Sequence, residues 1–348
     1  MDFVYTRFKV LQQLSNQKWF SAQRAPLPIP DGDLTGKTVV VTGANRGIGF
    51  EAAKHFAKLG VGRLILGCRN AGVGNQAAQE ISDATGSNAV TCWPLDLSSF
   101  ASVSAFVTRI QDEGVTVDIL VGNAAIMDTH YTQTEDGWEK SLQVNYLSNV
   151  LLTVLLLPHL SRGSDIVNSG RIILLSSVVH YFITHLPEAD SPDILSKLND
   201  RQHCTKSIMA LRYSISKLFI LFFSRELAHR VDGNTGGPIV AAVDPGYCST
   251  NLDHEAVSTA IRRFFIRIVN YFIARTPEMG SRTLIHAATR QESRALHGKY
   301  LTSCRVERES AYSLTGEGFA IQRRLWQETI DILQQVDPRV TTVLADYF

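Results

Sequence analysis

A doubly wound α/β fold, with a parallel sheet of about seven strands and helices on both faces, is predicted for this chain of 348 residues. Three observations lead there. Short β-branched runs alternate with amphipathic stretches between residues 37 and 243. Those runs are apolar at nearly every position, as strands buried on both faces are, rather than at alternate ones. A glycine-rich turn joins the first run to the first amphipathic stretch, at the sheet edge where such folds place their ligands.

The elements follow in order. Residues 1–20 carry Phe3, Val4, Phe8, Leu11, Leu14 and Trp19 at rough helical spacing. They read either as a docked helix or as a foot on a membrane surface. Pro26-Leu-Pro-Ile-Pro30 cannot lie inside a helix, because proline lacks the N–H and crowds the preceding turn, so it reads as an extended linker. Residues 1–33 are thus an N-terminal helix and linker, and residues 34–348 a single domain. Within it, 37–42 is the first strand, and 47–59 is a helix with Ile48, Ala52, His55, Phe56 and Leu59 on one side. Strands at 63–67, 89–95 and 118–121 alternate with helices at 75–84 and 100–111. Residues 138–157 form a long helix. Its greasiest run, 150–157, is far short of the ~20 residues that cross a bilayer and reads as buried core. A strand at 171–175, a helix at 206–231 and a strand at 239–243 continue the alternation, with a last strand at 299–302 and a packing helix at 318–336.

Composition narrows the function. Lys and Arg number 34 against 33 Asp and Glu, a net charge of +1, so the chain lacks the basic footprint of a nucleic-acid binder. An apolar fraction of 45% excludes disorder for most of its length. The five cysteines are odd in number and scattered without a CxxC pair, and the N-terminus has no signal-peptide pattern. Both point to reduced thiols in a cytoplasmic protein. The ten histidines show no metal-binding spacing. Oligomeric state is not legible.

The turn Thr42-Gly-Ala-Asn-Arg-Gly-Ile-Gly49 has the physics of a dinucleotide cradle. Gly43 permits the tight turn, Gly47 lets the backbone approach a pyrophosphate, and Gly49 lets helix and strand pack closely. Asn45 and Ile48 lie within the cradle, and the open N–H groups at the helix start face the phosphates. The second strand ends Leu66-Gly-Cys-Arg-Asn70, with no acidic residue to hold a ribose 2′-hydroxyl. Arg69 stands there instead, and Arg46 lies in the loop. Two guanidinium groups suit a 2′-phosphate, so the expected cofactor is NADP(H) rather than NAD(H).

From Gly36 to Thr302 the chain resembles the short-chain dehydrogenase/reductase family, which implies a Rossmann-like fold. The glycine loop is similar to its TGxxxGxG, Asp96-Leu97 to its adenine contact, and Asn123-Ala124-Ala125 to its NAG motif. Asn145 resembles the asparagine of its fourth helix, Ser177 its serine and Tyr213-Ser-Ile-Ser-Lys217 its YxxxK. Pro245-Gly246-Tyr-Cys-Ser-Thr250 resembles the PGxxxT segment that holds the nicotinamide carboxamide. The linker, Trp93-Pro-Leu-Asp-Leu, Thr134-Glu-Asp-Gly-Trp138 and Gly280-Ser-Arg-Thr283 further resemble fungal members of secondary-metabolite pathways. The chain departs from the family at Gly122, often Asn, and at Ala125, usually Gly. Ser177 and Tyr213 lie 36 positions apart, an excess carried by residues 180–212. Of the adjacent Ser176 and Ser177, strand alternation lets only one face the substrate, and Ser177 is chosen.

Tyr213 and Lys217 stand at i and i+4, on one helix face. A phenol near pKa ~10 is a poor base at neutral pH, but a neighbouring ammonium favours its phenolate. Tyr213 can then exchange a proton with a carbonyl or alcohol, while Ser177 bonds the same oxygen. By the resemblance, Lys217 also binds the nicotinamide ribose and Asn145 orients a water. The histidines read as surface or core residues, with His180, three residues after Ser177, the candidate for a substrate contact. Residues 255–275 carry Val257, Ile261, Phe264, Phe265, Ile268, Phe272 and Ile273 at three-to-four spacing, with Arg262, Arg263 and Arg267 among them. They read as a lid, within residues 250–280, over a hydrophobic small molecule, or as a peripheral membrane contact. The expected substrate is a polyketide, terpenoid, retinoid or steroid carbonyl or alcohol. A non-catalytic NADP(H)-binding regulator is the alternative.

Overall fold

The computed structural model describes residues 22–23, 25–161, 169–231, 237–249, 273–290 and 293–348. Thr250, most of the lid segment and the 1–20 segment lie outside the described residues.

Eight strands form one sheet in the order β3-β2-β1-β4-β5-β6-β7-β8. They are β1 (Thr38–Thr42), β2 (Arg63–Cys68), β3 (Val90–Pro94), β4 (Ile119–Gly122), β5 (Arg171–Leu175), β6 (Ile239–Asp244), β7 (Lys299–Thr302) and β8 (Arg305–Val306). Seven run parallel, as predicted. The eighth is a two-residue antiparallel edge that pairs Leu301 with Val306 and Thr302 with Arg305. It returns through Ser303 and Cys304, whose φ angles of 54° and 59° make the tight reversal. A strand this short carries no periodicity to read.

Alternate residues of each central strand feed two cores. Val39 and Val41 of β1 join α1 (Gly47–Lys58), α2 (Ala71–Thr85) and α7 (Pro277–Thr289) through Phe56, Ile81 and Leu284. Val40 enters the opposite core, with α3 (Phe100–Asp112), α4 (Ser148–Leu156), α6 (Lys206–Arg230), α8 (Gly316–Val336) and α9 (Arg339–Tyr347). Burial on both faces is why the strands lack alternation. Among the described residues two helical stretches, Lys140–His159 and Lys206–Arg230, are long and apolar enough to cross a bilayer. That corrects the expectation that no apolar stretch comes near that length. Both are mostly buried in the second core.

The segment between Ser177 and Tyr213 is structured. It comprises a 3-10 turn at Val178–Phe182, another at Pro187–Asp190, and α5 (Ile194–Asn199). Arg324 of α8 donates to the carbonyls of Ala189 and Ser191, and the Glu328 carboxylate accepts from the N–H groups of Ile194 and Leu195. The excess length is therefore an outer layer tied to α8 beside the carboxyl ends of β5 and β6.

Candidate active site

The strand order reverses between β1 and β4, and the glycine loop occupies the carboxyl end of β1 at that switch. Gly43 and Gly47 have φ angles of +65° and +61°, a region that side-chain-bearing residues rarely adopt. Arg46 is the N-cap of α1 and makes no side-chain cap, so the first N–H groups of this 12-residue helix are not capped by its side chain. An anion fits there. Gly49 has a further reason. The Asn123 carboxamide donates to the carbonyls of Thr42 (2.8 Å) and Gly43 (3.3 Å), and a Cβ on residue 49 would lie 2.4 Å from its Nδ2. The Thr42 hydroxyl accepts from the N–H groups of Asn123 and Ala124, both at 3.0 Å. Asn123 and Ala124 thus staple the glycine loop to the end of β4. Gly122, the first departure from the family pattern, has the same logic: a Cβ there would meet Leu174 at 2.6 Å.

Arg46 and Arg69 are both exposed, Arg69 directly after β2. Asn45 and Ile48 are half-buried in the loop. Asp96 turns its carboxylate onto the N–H (2.9 Å) and hydroxyl (2.7 Å) of Ser98, and Leu97 is buried beside it.

The predicted helix 138–157 is not regular. A short turn at Lys140–Leu142 leads into a π-helical turn, Gln143–Leu147, before α4 begins. Asn145 lies at the centre of that turn. Its Oδ1 accepts from Ile126 N–H (2.8 Å), and its Nδ2 donates to the Ile126 carbonyl (2.9 Å) and to Ser216 Oγ (3.1 Å). Asn149 donates to the Val144 carbonyl at 2.8 Å, five residues back, where a helical N–H would ordinarily serve. The main-chain bond from Ser148 N–H to the Gln143 carbonyl, five residues back, marks the π turn, and apolar periodicity cannot signal it.

On α6, Ser216 donates to the Tyr213 carbonyl at 2.7 Å, linking Asn145 to the turn that bears Tyr213. The Lys217 ammonium is 5.5 Å from the Tyr213 ring centre and donates to the Leu175 carbonyl at 2.7 Å, at the end of β5. Burial pushes Lys217 down to about 8, opposed by the Asp244 carboxylate. Asp244, fully buried at the end of β6, accepts from Gly246 N–H (3.0 Å), Thr302 (3.0 Å) and Tyr300 (3.2 Å). Burial nevertheless raises its carboxyl above the usual carboxylate range. Ser176 is buried and donates to the Lys217 carbonyl at 2.9 Å, whereas Ser177, the N-cap of the 3-10 turn after β5, is half-exposed.

His180 is enclosed rather than open to a ligand. It is fully buried, with Nδ1 2.6 Å from the Ser177 carbonyl and Nε2 accepting from Ser310 N–H at 3.2 Å. Burial among Tyr181 and Tyr300 lowers its pKa to about 4 from 6.5. Because the native pKa is depressed, His180 contributes stability that is full above pH 6.5 and is lost as pH falls toward 4. His180→Gln is expected to remove roughly 3 kcal/mol of that pH dependence. Melting temperatures measured across the window check this, and an equally steep slope in the variant would refute it.

Several residues here escaped the sequence reading: Ser216, which fills an unspecified position of the YxxxK segment, and Asp244, Arg275 and Gln23, which belong to no spaced motif. Among the described residues no group of three or more His, Cys, Asp or Glu could hold a metal ion.

Residues 37–183 match the short chain dehydrogenase family. The chain is similar to the short chain dehydrogenase/reductase dmxR8 of Cryptosporiopsis sp., 33% identical over 91% of this chain and 96% of that one. It is also similar to the short-chain dehydrogenase anuD of Penicillium roqueforti, 37% identical over 91% of this chain and 83% of the relative. Retinol dehydrogenase 13 of Mus musculus is 36% identical over 85% of this chain and 83% of its own. Among solved structures, the Pseudomonas aeruginosa RhlG/NADP active-site complex superposes with a TM-score of 0.58 and 24% identity, over 82% of this chain and all of that one, a likeness of fold.

Proposed function

Since the chain belongs to the short-chain dehydrogenase/reductase family of oxidoreductases, we propose that it interconverts a carbonyl and an alcohol on a hydrophobic small molecule, using NADP(H). The observation that carries the reading is the Lys217 ammonium held 5.5 Å from the Tyr213 ring, at the carboxyl edge of the sheet that also bears the start of α1. The cofactor supplies the hydride.

The chain's own groups manage the proton. Lys217 favours the Tyr213 phenolate, so the hydroxyl can give its proton to a carbonyl oxygen or take it back from an alcohol. Ser177 bonds the same oxygen, while Ser176, spent on the Lys217 carbonyl, keeps the lysine's turn against β5. Asn145 and Ser216 fix the distance between the β4 loop and α6. Gly43, Gly47 and Gly49 with the α1 start would hold the pyrophosphate, and Asp96 with Leu97 would border the adenine. Pro245, Gly246 and Thr250 would hold the carboxamide. The absence of an acidic residue after β2 and the exposure of Arg46 and Arg69 support NADP(H).

A lipophilic substrate is favoured by Phe182, a large apolar side chain left 39% exposed at the end of the 3-10 turn that Ser177 opens. The likeness to retinol dehydrogenase 13, whose name gives a lipophilic alcohol as its substrate, supports the same substrate class, and the reading extends to a reaction of secondary metabolism. Assaying lipophilic ketones and alcohols with each of the four nicotinamide cofactors tests the proposal. Absence of turnover with all of them, alongside intact NADP(H) binding, would favour a regulator. Replacing Arg46 and Arg69 together by alanine should weaken NADP(H) binding about tenfold or more, since each charge-assisted bond is worth about 1.5–3 kcal/mol. NAD(H) binding should hardly change, and equal losses for the two cofactors would defeat the assignment.

A further inference from the structure

Gln23 precedes the proline-rich linker and lies far in sequence from every motif, yet it is only 3% exposed. Its carboxamide is inserted against the loop that follows β6. Nε2 donates to the Tyr247 carbonyl (2.7 Å) and the Ile273 carbonyl (3.1 Å), and Oε1 accepts from Tyr247 N–H (3.1 Å). The side chain therefore pairs with both main-chain groups of Tyr247, as a neighbouring peptide of a sheet would.

Arg275 completes the arrangement, also 3% exposed. Its guanidinium donates to the carbonyls of Ala22 (2.6 Å), Gln23 (3.1 Å) and Pro245 (3.2 Å) and to the Ser303 hydroxyl (2.9 Å). Its own N–H donates to the Tyr247 carbonyl at 2.8 Å, and its carbonyl accepts from Ser249 N–H at 3.0 Å. From the other side the Asp244 carboxylate accepts from Gly246 N–H.

The main chain of residues 245–247 is thus held by a carboxylate, a guanidinium and a carboxamide at once. The fit leaves no slack. Gly246 has φ +82°, and a Cβ there would lie 2.6 Å from Gln23 Oε1 and 2.7 Å from an Arg275 nitrogen. A loop that changes direction at a positive φ would sample other conformations without such bonds. Its pinned state is what a planar ligand group bonding to main-chain atoms requires.

We propose that Gln23, acting with Arg275, is a positioning residue for the nicotinamide end of the cofactor site: the N-terminal segment sets the conformation of the Pro245–Gly246–Tyr247 loop. The inference rests on the NADP(H) reading above, in which that loop holds the carboxamide. It predicts an effect on one end of the cofactor only, because the adenosine end is built from α1, β2 and Asp96.

The test uses the full chain, with Gln23→Ala and Gln23→Glu, and two probes: adenosine 2′,5′-bisphosphate, which carries only the adenosine end, and NADPH. Gln23→Glu is nearly isosteric but sets a carboxylate oxygen against the carbonyls of Tyr247 and Ile273. Both variants should bind the bisphosphate as the unaltered protein does, while NADPH binding weakens about tenfold, the worth of one or two net hydrogen bonds. Bisphosphate binding also reports that each variant is folded. An unchanged ratio of the two affinities overturns the inference, whether both ligands are retained or both are lost, since that pattern marks a purely structural anchor. If the unaltered protein binds neither probe, the cofactor reading falls and this inference with it.

Discussion

Tyr213→Phe is expected to cut turnover by about 10²–10⁴-fold while leaving NADP(H) affinity and melting temperature close to those of the unaltered protein. The substitution removes one hydroxyl from a half-buried ring and nothing from the α6 backbone, whose turn is held by Ser216 on the Tyr213 carbonyl. General acid–base assistance is then the term that is lost. Positioning by Ser177 and the cofactor cradle persist, so a residual rate above background should remain. Steady-state kinetics on an accepted substrate, with NADP(H) binding measured on the same preparation, check the result. Turnover within a few-fold of normal would show that another group carries the proton.

Arg212→Met is expected to destabilise the fold by about 3–5 kcal/mol, because it strands a buried carboxylate. Arg212 and Glu139 are both fully buried, with Nε 3.3 Å from Oε2. Arg212 also donates to the Leu198 carbonyl at 2.7 Å and to Cys204 Sγ at 3.1 Å. Glu139 accepts from the N–H groups of Ser141 (2.8 Å) and Leu142 (2.9 Å), at the start of the helical run that leads to Asn145. The pair thus joins the residue before Tyr213 to the element that carries Asn145 and to the outer layer around α5. A drop in melting temperature of roughly 4–7 °C is expected. Glu139→Gln added to Arg212→Met should recover part of it, because a neutral amide costs less to bury and still accepts one N–H. An unaltered melting temperature in the single variant would mean that the pair adds nothing beyond apolar replacements of similar size.

The sheet was readable because strands buried on both faces must be apolar at every position, and helices between them must repeat at 3.6 residues. Both patterns survive in a linear string. The glycine loop was equally legible, since Gly43 and Gly47 answer to a positive backbone angle, which is a local property of the chain. The regular helix expected over 138–157 failed at Gln143–Leu147, where a π turn sets Asn145 against the Ile126 main chain and Ser216, contacts with distant residues that apolar periodicity does not carry. Three residues past Ser177, His180 suited either a substrate contact or a core position, and spacing does not choose between them. Burial between the Ser177 carbonyl and Ser310 depends on the C-terminal segment returning over it.

The same division runs through the site. The sequence alone determined the residue types and their local spacing: the glycine turn, the two arginines, the asparagine, the paired serines, and a tyrosine and lysine one helical turn apart. These are contacts within a few positions, governed by backbone geometry that every chain shares. Only the tertiary structure decided which of the two serines is spent on the Lys217 carbonyl. It alone placed Asp244 beside the lysine, buried the Arg212–Glu139 pair, and brought Gln23 to a loop more than two hundred residues away. Those are pairings of polar groups whose partners are chosen by the enclosure of the folded chain, where an unmet donor or charge costs far more than it does in water.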